Sequence, residues 1–341
     1  MTAPFTAMLK RIATGETLDA DASAEAFSAI MAGEIGEAQM AGFLTALALR
    51  KPTVPEITGA VTAMRAAMKR VEAPANAIDL VGTGGDGLST LNISSAACFV
   101  AAACGVPIAK HGNRNMTSRS GAADVLEALG VKVEVTPDIA SLCIEQSGLC
   151  FLFAQGFHPA MKHVTPVRRA LGFRTIFNLL GPLSNPAGVK RQLLGVYALE
   201  WLEPVAKVLA MVGAEKAWVV HGHDGLDELS ISDVTHVAVL EDGRIALKDV
   251  TPEDAGLPRW PLEAVKGGDA PENAAALMRL LEGEKGAYRD IVLLNAAAAL
   301  IVADKAEDLR AGADMAAKAI DSGAAKTVLK KLISVSNGAA P

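Results

Sequence analysis

The sequence predicts an α/β protein in which an all-helical N-terminal region precedes a mostly parallel sheet. Its length of 341 residues suggests about two domains and is ample for a hydrophobic core. Up to about residue 75, apolar residues recur at the three-to-four spacing of amphipathic helices. From Ala77 onward, short apolar runs alternate with helical segments, as in βαβ units.

The first region is predicted to be helical because glycines and prolines separate four stretches of helical periodicity, and none shows strand-like alternation. The predicted helices are Ala3–Ala13, Ala22–Ala32, Glu37–Arg50 and Val54–Lys69.

The second region is predicted to form the sheet, with helices as crossovers between strands. Predicted strands are Ile78–Val81, Val106–Lys110, Val131–Val135, Leu149–Phe153, Gln192–Tyr197 and Ala217–His221, and a hairpin joins Val237–Leu240 to Ile245–Lys248 through Asp242 and Gly243. Predicted helices are Asn92–Cys104, Ala122–Leu129, Asp138–Ser147 and Glu203–Gly213, a capped helix start at Thr251–Asp254, and four closing helices at Pro271–Gly283, Gly286–Ala303, Lys305–Ser322 and Ala324–Leu332. Residues 156–186 interrupt the sheet pattern and are predicted to be helical and loop-rich.

Composition excludes several classes of protein. The net charge of −6 and the aromatic content of 4% disfavour nucleic acid as a partner. The longest apolar run, 291–303, falls short of the ~20 residues that cross a bilayer, so no membrane partner is expected. The N-terminus lacks a signal-peptide pattern, and the four cysteines form no CxxC pair, which predicts reduced thiols and a cytoplasmic location.

The most informative stretch is a glycine-rich loop that follows the first predicted strand. Gly82, Gly84, Gly85 and Gly87 precede a helix that begins near Asn92. Glycines let the backbone approach an oxygen-rich ligand, and a helix N-terminus presents free N–H groups to an anion. The loop therefore predicts phosphate binding, although a plain tight turn is the simpler alternative.

Two well-known phosphate loops fit less well. A P-loop needs Lys and then Ser or Thr after its last glycine, whereas Leu88 follows Gly87. The dinucleotide pattern G-x-G-x-x-G is present, but it expects an acidic residue at the end of the next strand, where Lys110 and His111 stand. Asp86 inside the loop would repel a bare pyrophosphate, so a metal–pyrophosphate or a phosphorylated sugar fits better.

A second polar loop follows the next predicted strand, from Lys110 to Gly121. Loops that follow neighbouring parallel strands face the same crevice, so this loop is expected beside the first one. It supplies cationic and hydroxyl side chains suited to phosphate, namely Lys110, Arg114, Arg119, Thr117, Ser118 and Ser120. A solvated basic loop is the alternative.

Taken together, these motifs resemble the anthranilate phosphoribosyltransferase family, of the nucleoside-phosphorylase-like class of phosphoribosyltransferases. The matching motifs are Gly82–Gly87, Asn92–Ser95, Lys110–Arg114, Gly121–Gly130, His158–Met161, Pro166–Arg169, Arg174–Leu183 and Asp224–Glu228. The resemblance implies a small helical domain (1–73 plus about 165–188) and a large α/β domain (74–164 and 189–341), with a cleft between them and a homodimer formed through the helical domain.

The activity implied is magnesium-dependent transfer of phosphoribosyl from phosphoribosyl pyrophosphate to the amine of anthranilate, in tryptophan biosynthesis. The donor-binding residues implied are Gly82, Gly85, Asp86, Thr90, Asn92, Ile93, Ser94, Ser95, Lys110, His111, Gly112, Asn113, Arg114, Asn115, Met116, Thr117, Ser118 and Ala122. Mg²⁺ would be held by Ser94, Asp227 and Glu228, and anthranilate by Gly82, Asn113 and Arg168 with His111 and His158 close by. The family commonly has Ser where this chain has Ala122, so one hydroxyl contact to the donor is missing.

The chemistry needs no strong general base, because an aromatic amine is already largely neutral at pH 7. No catalytic residue is assigned, and His111 and His158 are the candidates to accept a proton or shape the pocket. Arg168 suits a benzoate carboxylate because its planar fork can bond both oxygens. Three alternatives stay open: a nucleoside phosphorylase, a dinucleotide-dependent oxidoreductase and a non-catalytic nucleic-acid-binding relative.

Overall fold

The computed structural model describes residues 2–114 and 120–338, with side chains from residue 4 onward. A helical bundle comes first and is followed by one sheet with helices on both faces. The bundle helices are α1 (Thr2–Ala13), α2 (Ala20–Met31), α3 (Glu37–Arg50) and α4 (Val54–Ala66). The remaining helices are α5 (Ile93–Ala103), α6 (Ala122–Ala128), α7 (Pro137–Ser147), α8 (Ala154–Phe157), α9 (Thr165–Leu171), α10 (Phe177–Leu183), α11 (Leu202–Met211), α12 (Ala270–Leu281), α13 (Ala287–Val302), α14 (Leu309–Asp321) and α15 (Ala324–Ser336).

Seven strands form a single mixed sheet in the described part of the chain. They are β1 (Ile78–Gly82), β2 (Ile108–Gly112), β3 (Leu149–Phe153), β4 (Arg191–Gly195), β5 (Lys216–Gly222), β6 (Thr235–Glu241) and β7 (Arg244–Val250). The spatial order is β3-β2-β1-β4-β5-β6-β7; the first five strands in this order are parallel, and β6 and β7 are antiparallel. The predicted α/β class and mostly parallel sheet are confirmed. The chain moves outward from β1 in one direction and from β4 in the other, so the topological switch point lies between these two strands.

The two faces of the sheet pack against different sets of helices. Leu80 and Leu193 point into a core shared with α5, α13, α14 and α15. The next residues along the same strands, Val81 and Leu194, point into a second core shared with the helical bundle and α11. This alternation follows from the two-residue period of a strand, and it attaches the bundle directly to one face of the sheet.

Local sequence signals explain where the helices begin and end. Asp19 caps the N-terminus of α2 by accepting the Ala22 N–H at 2.8 Å. Thr53 and Glu56 form a capping box at the start of α4, where Glu56 also accepts the Thr53 N–H. Gly148 ends α7 in the left-handed region, with φ of 78°, which favours glycine.

Helices α9 and α10 interrupt the sheet region, as the helical and loop-rich pattern of 156–186 predicts. Both pack into the core of the bundle. The ring centroid of Phe177 on α10 lies 5.7 Å from that of Phe27 on α2. The packing supports assigning 165–188 to the helical domain, and that division of the chain stays a proposal.

The prediction of a strand at Val131–Val135 is wrong. Within 2–114 and 120–338 the segment pairs with no strand. The Val131 N–H donates to the Leu126 carbonyl near the end of α6, and the Lys132 N–H donates to the Ser336 hydroxyl of α15. Its alternating valines imitate a strand because Val131 and Val133 are buried against the helices. The short runs that do form strands begin and end within a few residues of their predicted bounds.

The predicted hairpin and capped segment are present in the structure. The hairpin of β6 and β7 turns at Asp242 and Gly243, both of which have positive φ. The four cysteines are free thiols, and three of them are buried. Thr251 and Asp254 form the predicted capping box, although the element they start is a single short 3-10 turn, Pro252–Ala255. In the described residues no helix is long and apolar enough to cross a membrane.

Candidate active site

The glycine-rich loop begins at the switch point of the sheet. Gly82 at the end of β1 pairs in register with Gly195 at the end of β4. Beyond them the Thr83 N–H donates to the Gly195 carbonyl, and the Thr83 hydroxyl accepts the Tyr197 N–H. In open α/β sheets, ligands bind at the carboxyl ends of the strands beside the switch point. The loop therefore lies where this fold class places its ligands.

The two paired glycines make room for Asp227. A Cβ atom on Gly82 would lie 2.4 Å from the Asp227 carboxylate, and one on Gly195 would lie 1.6 Å from the Asp227 carbonyl oxygen. Asp227 is buried, and its carboxylate accepts the Gly84 N–H at 2.7 Å. The loop after β5 thus packs directly on the ends of β1 and β4.

Three acidic side chains meet at this point. Burial, together with the neighbouring charges of Asp86 and Glu228, raises the pKa of Asp227 well above its usual range. Burial raises the pKa of Glu228 to about 7, although Lys110 and Ser94 act in the opposite direction. A nearby cation would favour the ionised form of both carboxylates. The cluster is therefore suited to a metal ion.

The acidic side chains alone do not complete the coordination of a metal ion, so further ligands are needed. In residues 2–114 and 120–338, no group of three His, Cys, Asp or Glu side chains is placed to hold one. Mg²⁺ is usually held by one or two carboxylates together with substrate phosphates and water. Asp227, which is buried, and Glu228, which is half-buried, fit that pattern because their carboxylates lie beside the glycine-rich loop and the N-terminus of α5.

The N-terminus of α5 lies beside the acidic cluster. The Ser94 N–H donates to Glu228 at 3.1 Å, so a carboxylate occupies a position that suits an anion. Lys110, although buried, reaches the same point: its ammonium donates to the Ser94 hydroxyl at 3.2 Å and to the Leu80 carbonyl at 2.6 Å. Ser94, Lys110, Asp227 and Glu228, predicted on different elements, are thus brought together.

The other predicted residues of the first loop hold its shape. Thr90 forms an isolated bridge with Lys266. Asn92 precedes α5, and its side chain and carbonyl accept hydrogen bonds from Asn273 and Tyr288, which sequence reasoning did not single out. Ile93 and Ser95 are buried; Ile93 packs in the core, so only its backbone is available to a ligand.

A buried polar network lies beneath the two loops. Asp79 on β1 accepts the His111 N–H at 3.1 Å and the Asn185 side-chain amide at 2.7 Å. The same amide donates to the Ala109 carbonyl of β2. Burial raises the pKa of Asp79 to about 6. The network ties β1 and β2 to the segment after α10, and neither Asp79 nor Asn185 was singled out from the sequence.

His111 and His158 form a buried pair, with ring centroids 5.1 Å apart. His111 Nδ1 lies 3.0 Å from the Gly181 carbonyl, and His158 bonds the Ser184 backbone. Burial lowers the pKa of His111 to about 3 and that of His158 to about 4, so both rings are neutral at pH 7. The Nε2 atoms of both rings are buried without a partner in the described residues. The pair can therefore accept hydrogen bonds but is a weak base.

Arg168 lies on the helical side of this pair. Its guanidinium is 5.7 Å from the ring centroid of Phe177, one helical turn before Gly181 on α10. Partial burial lowers the pKa of Arg168, and no carboxylate in the described part of the chain pairs with it. An unpaired, half-buried guanidinium is suited to an anionic ligand.

The second loop is only partly described. Asn115, Met116, Thr117 and Ser118, together with Arg119, lie outside the described residues. Gly112 ends β2 against the Phe151 ring, and the exposed Asn113 accepts the Arg114 N–H. Arg114 is bound to Asp124 and Glu127 of α6, so its charge is already paired. Ala122 is the first residue of α6.

Arg174 connects the helical segment to the glycine-rich loop, a role that was not predicted from the sequence. Its guanidinium donates to the Gly85 carbonyl and stacks on the Tyr197 ring, with the guanidinium carbon 4.3 Å from the ring centroid. Arg174 lies within one of the motifs matched above, Arg174–Leu183. Its partner Gly85 is 89 residues earlier in the chain, and its partner Tyr197 follows β4. No local pattern could identify those partners.

Comparisons with known proteins agree along almost the whole chain. Family models match residues 6–68 as a glycosyl transferase family helical bundle domain and residues 74–326 as a glycosyl transferase family α/β domain. The anthranilate phosphoribosyltransferase of Parvibaculum lavamentivorans is 58% identical over 334 residues, covering 98% of both chains. That of Rhodopseudomonas palustris strain HaA2 is 56% identical over 98% of this chain and 99% of its own.

Solved structures of such enzymes superpose closely. The crystal structure of the enzyme from Thermus thermophilus has a TM-score of 0.92 and 45% identity, covering 97% of this chain and 99% of that chain. The Saccharomyces cerevisiae enzyme in complex with phosphoribosyl pyrophosphate and Mg has a TM-score of 0.91 and 29% identity, covering 99% of each chain. The alternatives of an oxidoreductase and a nucleic-acid-binding relative gain no support. On this evidence the chain belongs to the anthranilate phosphoribosyltransferase family.

Proposed function

We propose that this chain transfers the phosphoribosyl group of 5-phosphoribosyl 1-pyrophosphate to the amine of anthranilate, in tryptophan biosynthesis. The bond from the ribose C1 to pyrophosphate breaks, a bond from C1 to the amine nitrogen forms, and the amine loses a proton. The observation that carries the proposal is the site at the switch point, where a glycine-rich loop, the N-terminus of α5 and an acidic pair converge.

On the donor side, the first loop and α5 offer backbone N–H groups, and Ser94 and Lys110 offer polar side-chain groups. The remaining predicted donor residues, including those of the second loop, stay predictions. Pre-positioned dipoles and charges of this kind stabilise a departing pyrophosphate without covalent chemistry.

Mg²⁺ fits the residues present. Asp227 and Glu228 would hold it, beside the Ser94 hydroxyl, because their carboxylates meet the glycine-rich loop and the N-terminus of α5 at this point. When bound, the ion would neutralise charge that develops on the pyrophosphate. The yeast relative crystallised with both phosphoribosyl pyrophosphate and Mg, which supports the assignment.

On the acceptor side, Arg168 would pair with the anthranilate carboxylate, and the His111–His158 pair would accept hydrogen bonds from the amine. Two observations support this arrangement. Within the described residues, the guanidinium has no carboxylate partner and the two Nε2 atoms have no hydrogen-bond partner. In addition, Arg168 and His111 both contact α10, and His158 bonds Ser184 directly after it. Another structure of the yeast relative contains 4-fluoroanthranilate. Gly82 and Asn113 stay as predicted acceptor contacts.

A homodimer formed through the helical domain is part of the proposal. Leu49 on α3 is 83% exposed, and an interface on the helical domain could cover it. Sedimentation equilibrium should give about twice the 35.2 kDa chain mass. A monomer mass at micromolar concentration would contradict the dimer. The cytoplasmic location stays a prediction.

The function is tested by following the loss of anthranilate fluorescence with purified protein. We expect turnover that requires anthranilate, phosphoribosyl pyrophosphate and Mg²⁺ together, and that stops when the metal is chelated. Full turnover after removal of metal would contradict the magnesium assignment. Phosphate-dependent cleavage of nucleosides without consumption of anthranilate would contradict the whole proposal in favour of a nucleoside phosphorylase.

A further inference from the structure

We propose that His223 and His236 form a binding site for a divalent transition-metal ion of the Zn²⁺ type, separate from the acidic pair. His223 follows the last residue of β5, and His236 is the second residue of β6. His236 Nε2 lies 3.5 Å from His223 Nδ1, and the exposed position of His223 leaves the pair open to solvent. Neither residue takes part in the phosphoribosyl-transfer site.

The hydrogen bonding of His236 directs a lone pair towards His223. His236 Nδ1 lies 2.8 Å from the Asp249 carboxylate, which accepts the N–H at that position. In the neutral ring, Nε2 is then the unprotonated atom. A carboxylate bound to the far nitrogen of a histidine is the usual arrangement around metal-ligating imidazoles, because it fixes the tautomer and raises the basicity of the ligand.

Both imidazoles are held by the sheet. His236 on β6 pairs in register with Asp249 on β7, so the carboxylate and the ring lie side by side on one face. The His223 N–H donates to the Val234 carbonyl at 2.8 Å, which fixes the start of the β5–β6 connection against its end. The two rings therefore approach each other from backbone that is held by hydrogen bonds.

The separation of the two nitrogens suits a shared ion. Zinc–imidazole bonds of 2.0–2.1 Å at a tetrahedral angle place the nitrogens roughly 3.3–3.4 Å apart. The observed 3.5 Å is within the tolerance of such a site but is long for a direct hydrogen bond, which is commonly about 2.9–3.0 Å. The rings meet at 72° with centroids 5.7 Å apart, so they do not stack face to face.

The ligand set decides the class of ion. Two imidazoles favour Zn²⁺, Cu²⁺ or Ni²⁺, whereas Mg²⁺ prefers the oxygen ligands of the acidic pair. Since no third side chain of metal-binding type completes the group in the residues described, water would fill the other positions around a bound ion. The site is thus open and exchangeable. An ion bound by His223 and His236 would link the two ends of the β5–β6 connection, which contains Asp227 and Glu228.

The test is calorimetric titration of untagged, chelator-treated protein with Zn²⁺, in millimolar Mg²⁺ to occupy the acidic pair. We expect one equivalent to bind, and His223→Ala and His236→Ala each to weaken that binding at least tenfold. Asp249→Asn should weaken it about 10- to 100-fold, as outer carboxylates commonly do. His163→Ala, which removes a histidine from a different part of the molecule, is the matched control and should bind as the parent does.

A second measurement does not depend on the variants. Among the six histidines, Zn²⁺ should shift the ring resonances of His223 and His236 in the NMR spectrum of the unaltered protein. Unchanged Zn²⁺ binding when His223→Ala and His236→Ala are combined in one protein, or ring shifts confined to other histidines, would overturn the proposal.

Discussion

At the scale of single residues, Arg168 tests the acceptor side of the site. Its guanidinium is half-buried over Phe177 and unpaired in the described structure. We expect Arg168→Ala to weaken anthranilate binding by about 2–5 kcal/mol, the usual cost of removing one partner of a buried charge pair. The neighbouring Arg169 is exposed, so Arg169→Ala is the control and should leave affinity unchanged. Equal anthranilate affinity in the two variants would remove Arg168 from the pocket.

Glu228 gives a prediction about pH. Its pKa is raised to about 7 by burial, so the side chain is protonated below that pH and ionised above it. Mg²⁺ binds the ionised form, and the affinity for Mg²⁺ should therefore rise with pH up to about 7 and then level off. Asp227, with its own raised pKa, acts in the same direction.

The measurement is the Mg²⁺ dependence of turnover between pH 5.5 and 8.5, compared with Glu228→Gln. The donor phosphates titrate identically in both proteins, so the difference in slope isolates Glu228. For each pH unit below pH 7, we expect the Mg²⁺ affinity of the parent to fall by up to about tenfold more than that of Glu228→Gln. Identical slopes would contradict the assignment of Glu228 as a metal ligand.

At the scale of elements, the ends of β1 and β4 are shaped by glycine for the loop that carries Asp227. Gly195→Ala would place its Cβ 1.6 Å from the Asp227 carbonyl, and Gly82→Ala would place its Cβ 2.4 Å from the Asp227 carboxylate. We expect both variants to lose at least tenfold in kcat/KM, together with a decrease of about 1–3 kcal/mol in the free energy of unfolding from overpacking.

Gly42→Ala is the control for these substitutions. Gly42 lies inside α3, where the added methyl would meet only a Leu9 side-chain carbon at 3.8 Å. Alanine also favours a helix interior by up to about 1 kcal/mol, so this variant should be active and no less stable. Full activity in Gly82→Ala and Gly195→Ala would show that the position of Asp227 is not needed for turnover.

Elements were predictable from the sequence where local patterns determine them. The bundle, the hairpin and the closing helices follow from periodicity and turn residues. The strand predicted at Val131–Val135 is absent from the described structure. An unpaired segment with one buried side shows the same alternation of apolar and polar residues as a strand. Gly195 was missed because the need for glycine there comes from Asp227, which packs on it from a distant loop.

At the scale of the whole molecule, Arg174 links the helical segment to the donor loop. The guanidinium bonds the Gly85 carbonyl and stacks on Tyr197, so it holds the loop against the end of β4. We expect Arg174→Ala to raise the KM for phosphoribosyl pyrophosphate several-fold, with little change in the free energy of unfolding. Steady-state kinetics at saturating anthranilate measures this. An unchanged donor KM would show that the loop keeps its shape without Arg174.

The overall arrangement of the site was predictable only in part. The order of strands and loops placed Gly82–Gly87 and Lys110 at one edge of the sheet, because parallel neighbours end at the same edge. The contacts that hold this edge together, such as Asp79 with Asn185 and Arg174 with Gly85, join residues about 90 or more positions apart. Such contacts depend on tertiary packing, which composition and spacing do not encode.

The proposed chemistry requires the donor to bind at the switch point, and a crystal structure with phosphoribosyl pyrophosphate and Mg²⁺ tests this position directly. We predict the pyrophosphate against Gly82–Gly87 and the first turn of α5, with the ion next to Asp227 and Glu228. A donor bound at another edge of the sheet, or an ion remote from both carboxylates, would contradict the account.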